Sequence, residues 1–402
     1  MRRALAGVLA VLTILATAGS AALAARLGSE FQVNTFTRSN QQGPSVSGLS
    51  DGGFVAVWTS QRQDGSSNGA YGQRYAANGV RAGVEFRVNT STEGSQQDPS
   101  VAGLSGGGFV VAWAADQNNI SIYGQRYDVA GAPVGTEFLI GGPLASVPVV
   151  AALADGGFVV VWQARDQNAE GVFGQRFTAD GSRAGAAFPV NTFTLGTQDR
   201  PSVAGLIDGG FVVTWESDGR DGSGWGIYGQ RYDMTGAALG VEFRVNTHRA
   251  DDQVLPVLAG LTDGSFVVVW MSEDGSDYGI YGRRYAADGS PEGKQFRINR
   301  TTVGNQGLPS VAPLDDGGFV VAWASVGQDG SDSGIVSQSY DASRTRVGKE
   351  YQVNTPWRRS QDSPAVARLK DDRFVVTWES IGQDGGAEGI FGQRCRRTCK
   401  LK

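Results

Sequence analysis

Residues 201–232 read PSVAGLIDGGFVVTWESDGRDGSGWGIYGQRY, and residues 233–247 continue DMTGAALGVEFRVNT. Four apolar segments of four to seven residues are set apart by Asp-Gly, Gly-Gly and Ser-Gly pairs. Each is rich in Val, Phe, Tyr or Trp, the composition of short β-strands bounded by tight turns. We denote them a (PSVAGL), b (FVVTW), c (GIYGQRY) and d (EFRVN). No segment places apolar residues at helical spacing. Strand b is apolar on both faces, so the sheet it belongs to must be covered on both sides.

The same pattern returns along the chain. The strand-b pentads begin at Phe54, Phe109, Phe158, Phe211, Phe266, Phe319 and Phe374 and end at Trp58, Trp113, Trp162, Trp215, Trp270, Trp323 and Trp378, a mean step of about 53 residues. A four-stranded sheet of that size buries too little surface to stand alone, so the repeats must cover one another. Radial stacking does this, and the expectation is an all-β fold, a seven-bladed β-propeller of four-stranded antiparallel blades spanning residues 25–395. A linear array or β-helix fits less well, because each repeat supplies a whole sheet. Past its leader the mature chain is expected to begin with a d segment, Glu30 to Asn34, and its last strand segment is a c segment, Gly389 to Arg394. The N-terminal strand is therefore expected to complete the last blade and close the ring. Much of the glycine content, 59 of 402 residues, falls in the recurring turns.

The first 24 residues have the layout of an export signal: Arg2 and Arg3, an apolar run from Ala4 to about Ala18, and Ala22-Leu23-Ala24 as a small-x-small cleavage pattern. The expectation is a cleaved signal peptide and a periplasmic or extracellular protein, with an uncleaved anchor as the alternative. Past the leader no run of about 18 apolar residues follows, so no membrane insertion is expected. Loss of the two leader arginines takes the formal charge from −5 to −7, which disfavours nucleic acid as a partner. A single histidine, His248, disfavours triads and zinc centres built on histidine. A monomer is expected.

In a four-strand meander the b–c and d–a loops share one face, and the candidate binding residues lie there. The b–c loops carry Asp64, Asp221, Asp274, Asp329 and Asp384, each followed by Gly. The d–a loops carry Gln41, Gln96, Gln198, Gln253, Gln306 and Gln361, each three residues before a proline. Such a ring can bind saccharide hydroxyls, with calcium the one cofactor it leaves open. Equally, Asp and Gln can cap loop backbone in every blade. Departures from the repeat say more. Trp225 and Trp357 are the two tryptophans outside strand b, Tyr278 takes the place of Trp225 one blade on, and Phe36 and Phe193 lie on d–a loops. These rings either stack on a ligand or pack on neighbouring loops. The loop from Gly141 to Pro148 is three residues shorter than its counterparts, so any site is asymmetric. The arginine of GIYGQRY recurs at 74, 126, 176, 231, 284 and 394 but is Ser339 in the sixth repeat; it reads as an interblade hydrogen-bonding or ion-pair residue. Cys395 and Cys399 are a disulfide candidate, and residues 396–402 form a basic tail.

The order PSVA, turn, FVVVW, IYGQR and a final VN resembles the blades of sialidase-like propellers with bacterial neuraminidase repeats. It is also similar to propeller-type repeats of large exported bacterial proteins. The resemblance implies a binding face at one end of the ring. The Asp box of the family, Ser-x-Asp-x-Gly-x-x-Trp, is not matched; the c–d turn reads Tyr285-Ala-Ala-Asp-Gly289, and no sialidase catalytic residue can be assigned. The expected function is therefore a noncatalytic binding module for saccharide or protein. A carboxylate-based glycoside hydrolase or lyase and a calcium-stabilised structural ring are the alternatives.

Overall fold

The computed structural model describes residues 26–116, 119–166, 169–273, 275, 277–330, 332–355 and 359–397. The leader, Asp274, Trp357 and Cys399 lie outside the described residues. The chain opens with β1 (Arg26–Gln32). Blade one follows as β2 (Gln41–Gly48), β3 (Phe54–Gln61), β4 (Asn68–Tyr75) and β5 (Phe86–Arg87), and blade two as β6 (Ser95–Gly103), β7 (Phe109–Asp116), β8 (Ile120–Tyr127) and β9 (Pro133–Gly141). Blade three is β10 (Ala145–Ala152), β11 (Phe158–Arg165), β12 (Glu170–Phe177) and β13 (Phe188–Pro189); blade four is β14 (Gln198–Gly205), β15 (Phe211–Asp218), β16 (Trp225–Tyr232) and β17 (Ala238–Arg244). Blade five is β18 (Gln253–Gly260), β19 (Phe266–Glu273), β20 (Tyr278–Tyr285) and β21 (Phe296–Arg297); blade six is β22 (Gln306–Pro313), β23 (Phe319–Val326), β24 (Ser333–Tyr340) and β25 (Arg346–Gln352). Blade seven takes β26 (Gln361–Leu369), β27 (Arg373–Ile381) and β28 (Glu388–Arg396) from the C-terminal end, and its outer strand is β1, paired antiparallel with β28. The fold is the expected seven-bladed propeller, closed through its N-terminal strand.

Strand b holds each blade because both of its faces are buried: all of Phe54 to Trp58 is fully covered. Its phenylalanine stacks on the last residue of strand c, as Phe54 does on Tyr75 at 4.5 Å, and the strand-d phenylalanine of the preceding blade tilts onto that pair. Phe31 of blade seven lies 5.2 Å from Tyr75 of blade one in this way. Aromatic triads therefore tie blade to blade. At the blade six–seven contact the bulk moves: Tyr351 stands where other blades have the strand-d phenylalanine, and Cys395 where they have the strand-c tyrosine or phenylalanine. Cys395 is thus a core residue, fully buried, and burial pushes its thiol up to about 12. Cys399, with which the sequence pairs it as a disulfide candidate, lies outside the described residues.

The a–b turns show why two glycines follow the aspartate. Gly52 has φ +87°, a left-handed conformation, and a Cβ on Gly53 would come within 2.3 Å of the Tyr75 carbonyl oxygen. Asp51 accepts from the Gly53 N–H at 2.8 Å and faces Arg74 at 3.6 Å.

The repeated arginine acts as expected. Arg74 of blade one donates to the Val129 and Ala130 carbonyls in the c–d turn of blade two, Arg126 to Ala179 and Asp180 in blade three, and Arg394 of blade seven to Ala77 and Asn78 in blade one.

Candidate functional site

Two of the expected residue classes are spent on structure. The glutamines are not loop residues: strand a begins at the glutamine, continues through a bulge, and only then reaches the proline. Gln253, Gln306 and Gln361 are fully buried. Asn246 donates to Gln253, Asn354 donates to Gln361 at 2.7 Å, and the Trp323 indole N–H donates to Gln306 at 3.0 Å. Their amides latch strand d to strand a beneath the surface, which corrects their assignment to a ligand. The aspartates serve their own loops. Asp221 accepts from the Ser223 N–H and faces Arg244 at 3.6 Å; Asp384 accepts from Gly386, Gln32 and Asn34; Asp329 accepts from Gln352 at 2.8 Å. In blades one, four and seven the aspartate accepts the N–H two residues further on, from Ser66, Ser223 and Gly386, the behaviour of a repeated turn residue.

The bulge builds a different ring. The residue before each strand-a proline, Gly43, Asp98, Val147, Arg200, Leu255, Leu308 and Ser363, lies at φ between +50° and +60°. Six of the seven are not glycine, so strained backbone is repeated around the ring. Most of these residues surround the mouth of the axial channel on the loop-bearing face, a cavity of about 260 Å³ that also touches the prolines. The backbone is the same in every blade and the side chains are not, which marks a place where the sequence is free of blade geometry.

Four of the bulge N–H groups are offered to the residue that follows the strand-b tryptophan one blade earlier: Asp98 N–H to Thr59, Leu255 N–H to Glu216, Leu308 N–H to the Met271 sulfur and Gly43 N–H to Glu379. In blades four and seven that residue is a glutamate, and its cross-strand partner is an aspartate. Asp199 faces Glu216 and Asp362 faces Glu379. The other five blades place Gln42 with Thr59, Gln97 with Ala114, Ser146 with Gln163, Val254 with Met271 and Gly307 with Ala324. Like charges directly opposite on a sheet are destabilising, so these two pairs have no structural reason in the repeat. Glu216 is 6 % exposed. Burial first, and then Asp199 and Asp252, push its carboxyl up to about 7, against the opposing pull of the Leu255 N–H and Arg200. Burial and the neighbouring Glu388 and Asp362 raise Glu379 in the same direction.

Two of the aromatics outside the repeat pattern lie at the junction of blades four and five. Trp225 opens β16 and Tyr278 opens β20, one blade on, both half-buried. Between them, at the start of blade five, Asp252 accepts the Trp225 N–H at 3.0 Å. Burial raises the Tyr278 hydroxyl, and Asp252, Glu273 and Glu216 add to the rise. The structure thus brings together Trp225 and Tyr278, which the sequence singles out, with Glu216, Asp199 and Asp252, which it does not. The missed signal was legible: QDxP followed by TWES occurs only in the fourth and seventh repeats. Among the described residues no group of three or more Asp, Glu, His or Cys is arranged to hold a metal ion, and no helix is long and apolar enough to cross a membrane.

No family model matches the sequence, and no curated protein matches it. The architecture is a β-propeller similar to those of the following solved structures. A protein of unknown function from Dyadobacter fermentans aligns with 93 % of this chain and 99 % of its own at 12 % identity and a TM-score of 0.59. The endosialidase of phage phi92 aligns over 93 % of this chain and 70 % of its own, with 9 % identity and a TM-score of 0.54. A polysaccharide lyase aligns over 90 % and 91 %, with 9 % identity and a TM-score of 0.53. At these identities the likeness concerns the fold.

Proposed function

We propose that the protein binds saccharide on its loop-bearing face, at the junction of blades four and five. The observation that carries this reading is the bracketing of Asp252 by Trp225 and Tyr278. Two aromatic rings one blade apart offer faces on which a sugar ring can stack, and the Asp252 carboxylate between them accepts from its hydroxyls. That an endosialidase and a polysaccharide lyase share the architecture supports a saccharide as ligand. The test is a glycan array probed with residues 25–402 and with a Trp225→Ala, Tyr278→Ala double variant. Binding that falls at least tenfold in the variant supports the proposal, and absence of binding to any glycan by the unaltered chain overturns it.

A second reading, a carboxylate-based glycoside hydrolase or lyase, is favoured by the Asp199–Glu216 pair. A buried carboxyl raised to about 7, with a second carboxyl facing it across the strand pair, is the kind of arrangement from which acid–base chemistry on a glycosidic bond starts. Turnover of glycosides or uronate polysaccharides that disappears in Glu216→Gln would establish it. Binding without turnover across that panel would leave the noncatalytic module.

A further inference from the structure

Blade five has lost a part that four other blades keep. In blades one, four, six and seven, strand c reaches its first glycine 11 residues after the strand-b tryptophan, as from Trp58 to Gly69 and from Trp215 to Gly226; in blade five Gly279 follows Trp270 by 9. The longer loops carry a plug five residues after the tryptophan. In blade one Gln63 is the plug, bonded to Ser60 and to Glu85 of strand d at 2.6 Å each. In blade seven Gln383 bonds Ser380 and Glu30 in the same manner. In blade four the plug is Arg220. Its guanidinium carbon lies 4.9 Å from the Phe193 ring centroid and 4.1 Å from that of Tyr228, and it is ion-paired with Glu242.

Among the described residues, blade five has the walls of this compartment without the plug. His248 stands where Phe193 does: Asn246 donates to the His248 carbonyl as Asn191 does to that of Phe193. Gln295 stands where Glu242 does, accepting the Thr247 N–H as Glu242 accepts that of Thr192. Tyr281 corresponds to Tyr228, each being the cross-strand partner of its blade's tryptophan. What remains is a cavity of about 330 Å³ lined by His248, Asp251, Ser272, Glu273, Tyr281 and Gln295, with Gly275 at its edge. Arg297 lies 5.8 Å from the Tyr281 ring centroid and is not part of the lining. Two carboxylates, two rings and hydrogen-bonding groups surround a space that, one blade earlier, the protein fills with its own cation.

We propose that this cavity is a subsite for the ammonium group of an amino sugar. Asp251 and Glu273 supply the countercharge, Tyr281 and His248 the ring faces, and Gln295 and Ser272 the partners for neighbouring hydroxyls. The inference rests on the saccharide reading and narrows it to a saccharide with a free amine. An N-acetylated sugar forfeits the charge, and neutral hexoses forfeit the group altogether.

The single histidine makes the test direct, because the imidazole NMR signal of an untagged chain can only be that of His248. Glucosamine, N-acetylglucosamine, glucose and methylguanidinium are titrated separately. Glucosamine is expected to move the signal saturably, with N-acetylglucosamine and glucose needing at least tenfold higher concentration. Glu273→Gln and Asp251→Asn are each expected to weaken glucosamine at least tenfold; asparagine suits the left-handed φ of +61° at residue 251, so folding is retained. A silent histidine, equal response to the acetylated sugar, response to methylguanidinium alone, or wild-type affinity in both variants overturns the inference. A positive glycan array together with a silent histidine removes this subsite and leaves the saccharide face standing. A negative array removes the face.

Discussion

Replacing Glu216 with glutamine should change the stability of the protein in a pH-dependent way, and the sign follows from the site. In the folded chain the carboxyl is buried and held near Asp199 and Asp252, which raises it from 4.5 to about 7. A folded state that holds a proton more tightly than the unfolded state gains stability as pH falls through that interval and loses it as pH rises. Below about 4.5 the group is protonated in both states and costs nothing. Above about 7 folding must bury the ionised form, at a penalty of roughly 2.5 × 1.36, or about 3 kcal/mol. Glutamine keeps an oxygen to accept the Leu255 N–H and carries no charge. Glu216→Gln should therefore match the unaltered protein at pH 4 and exceed it at pH 8 by up to about 3 kcal/mol. With an unfolding entropy of about 2.1 cal/mol/K per residue, that is roughly 4 °C in Tm for a chain of this length. Thermal unfolding followed by circular dichroism from pH 4 to 8 provides the measurement. A difference between the two proteins that stays constant across that range would refute the argument.

Three further outcomes follow from the ring. A chain starting at residue 44 lacks β1 and leaves the outer edge of β28 unpaired; its Tm should fall by roughly 10 °C or more, and an unchanged Tm would contradict the closure. Arg74→Ala and Arg394→Ala each remove two charge-assisted hydrogen bonds to a neighbouring blade and should cost about 1–3 kcal/mol in urea unfolding, whereas Ser339→Arg should bring no gain. Cys395 should resist iodoacetamide at pH 8 in the native protein and react once urea is added without any reductant, as peptide mass spectrometry would show; a requirement for reductant would mean a disulfide.

The architecture was legible in the sequence because each level of it agrees: two-sided apolar pentads, turn pairs and a 53-residue step all demand the same sheet. The site was legible only in part. Trp225 and Tyr278 stand out as side chains the blade does not need. The carboxylate pairs do not, because Asp199 and Glu216 are 17 residues apart and meet only through the bulge, which lets pairing resume on the far side of the left-handed residue. The same bulge hid the glutamines. A proline reads as the opening of a strand, so the residues before it read as loop, whereas the ladder here crosses it and buries Gln253, Gln306 and Gln361 beneath the face they were expected to form.

Ser339 shows how a departure from a repeat can locate a structural seam. The strand-c arginine reaches the c–d turn carbonyls of the next blade, so it requires that turn to exist. Blade six faces blade seven, whose third and fourth strands are β28 and β1, the two ends of the chain, with no turn between them. An arginine at 339 would have no carbonyls to reach, and the position is a buried serine. The aspartate that such an arginine would face, Asp316, is met from the other side of the seam: Arg397, just past β28, pairs with it and donates to the Tyr340 carbonyl at 3.2 Å. Substitution at 339 and compensation at 397 are thus one consequence of closing the ring between two chain ends. This is why Ser339→Arg, which would put a guanidinium without carbonyl partners at a buried position, should lower stability, and why Arg397→Ala, which removes the partner of Asp316, should lower it by about 1–3 kcal/mol in urea unfolding. Equal stability of Arg397→Ala and the unaltered protein would show that the Arg397–Asp316 pair adds nothing to the seam.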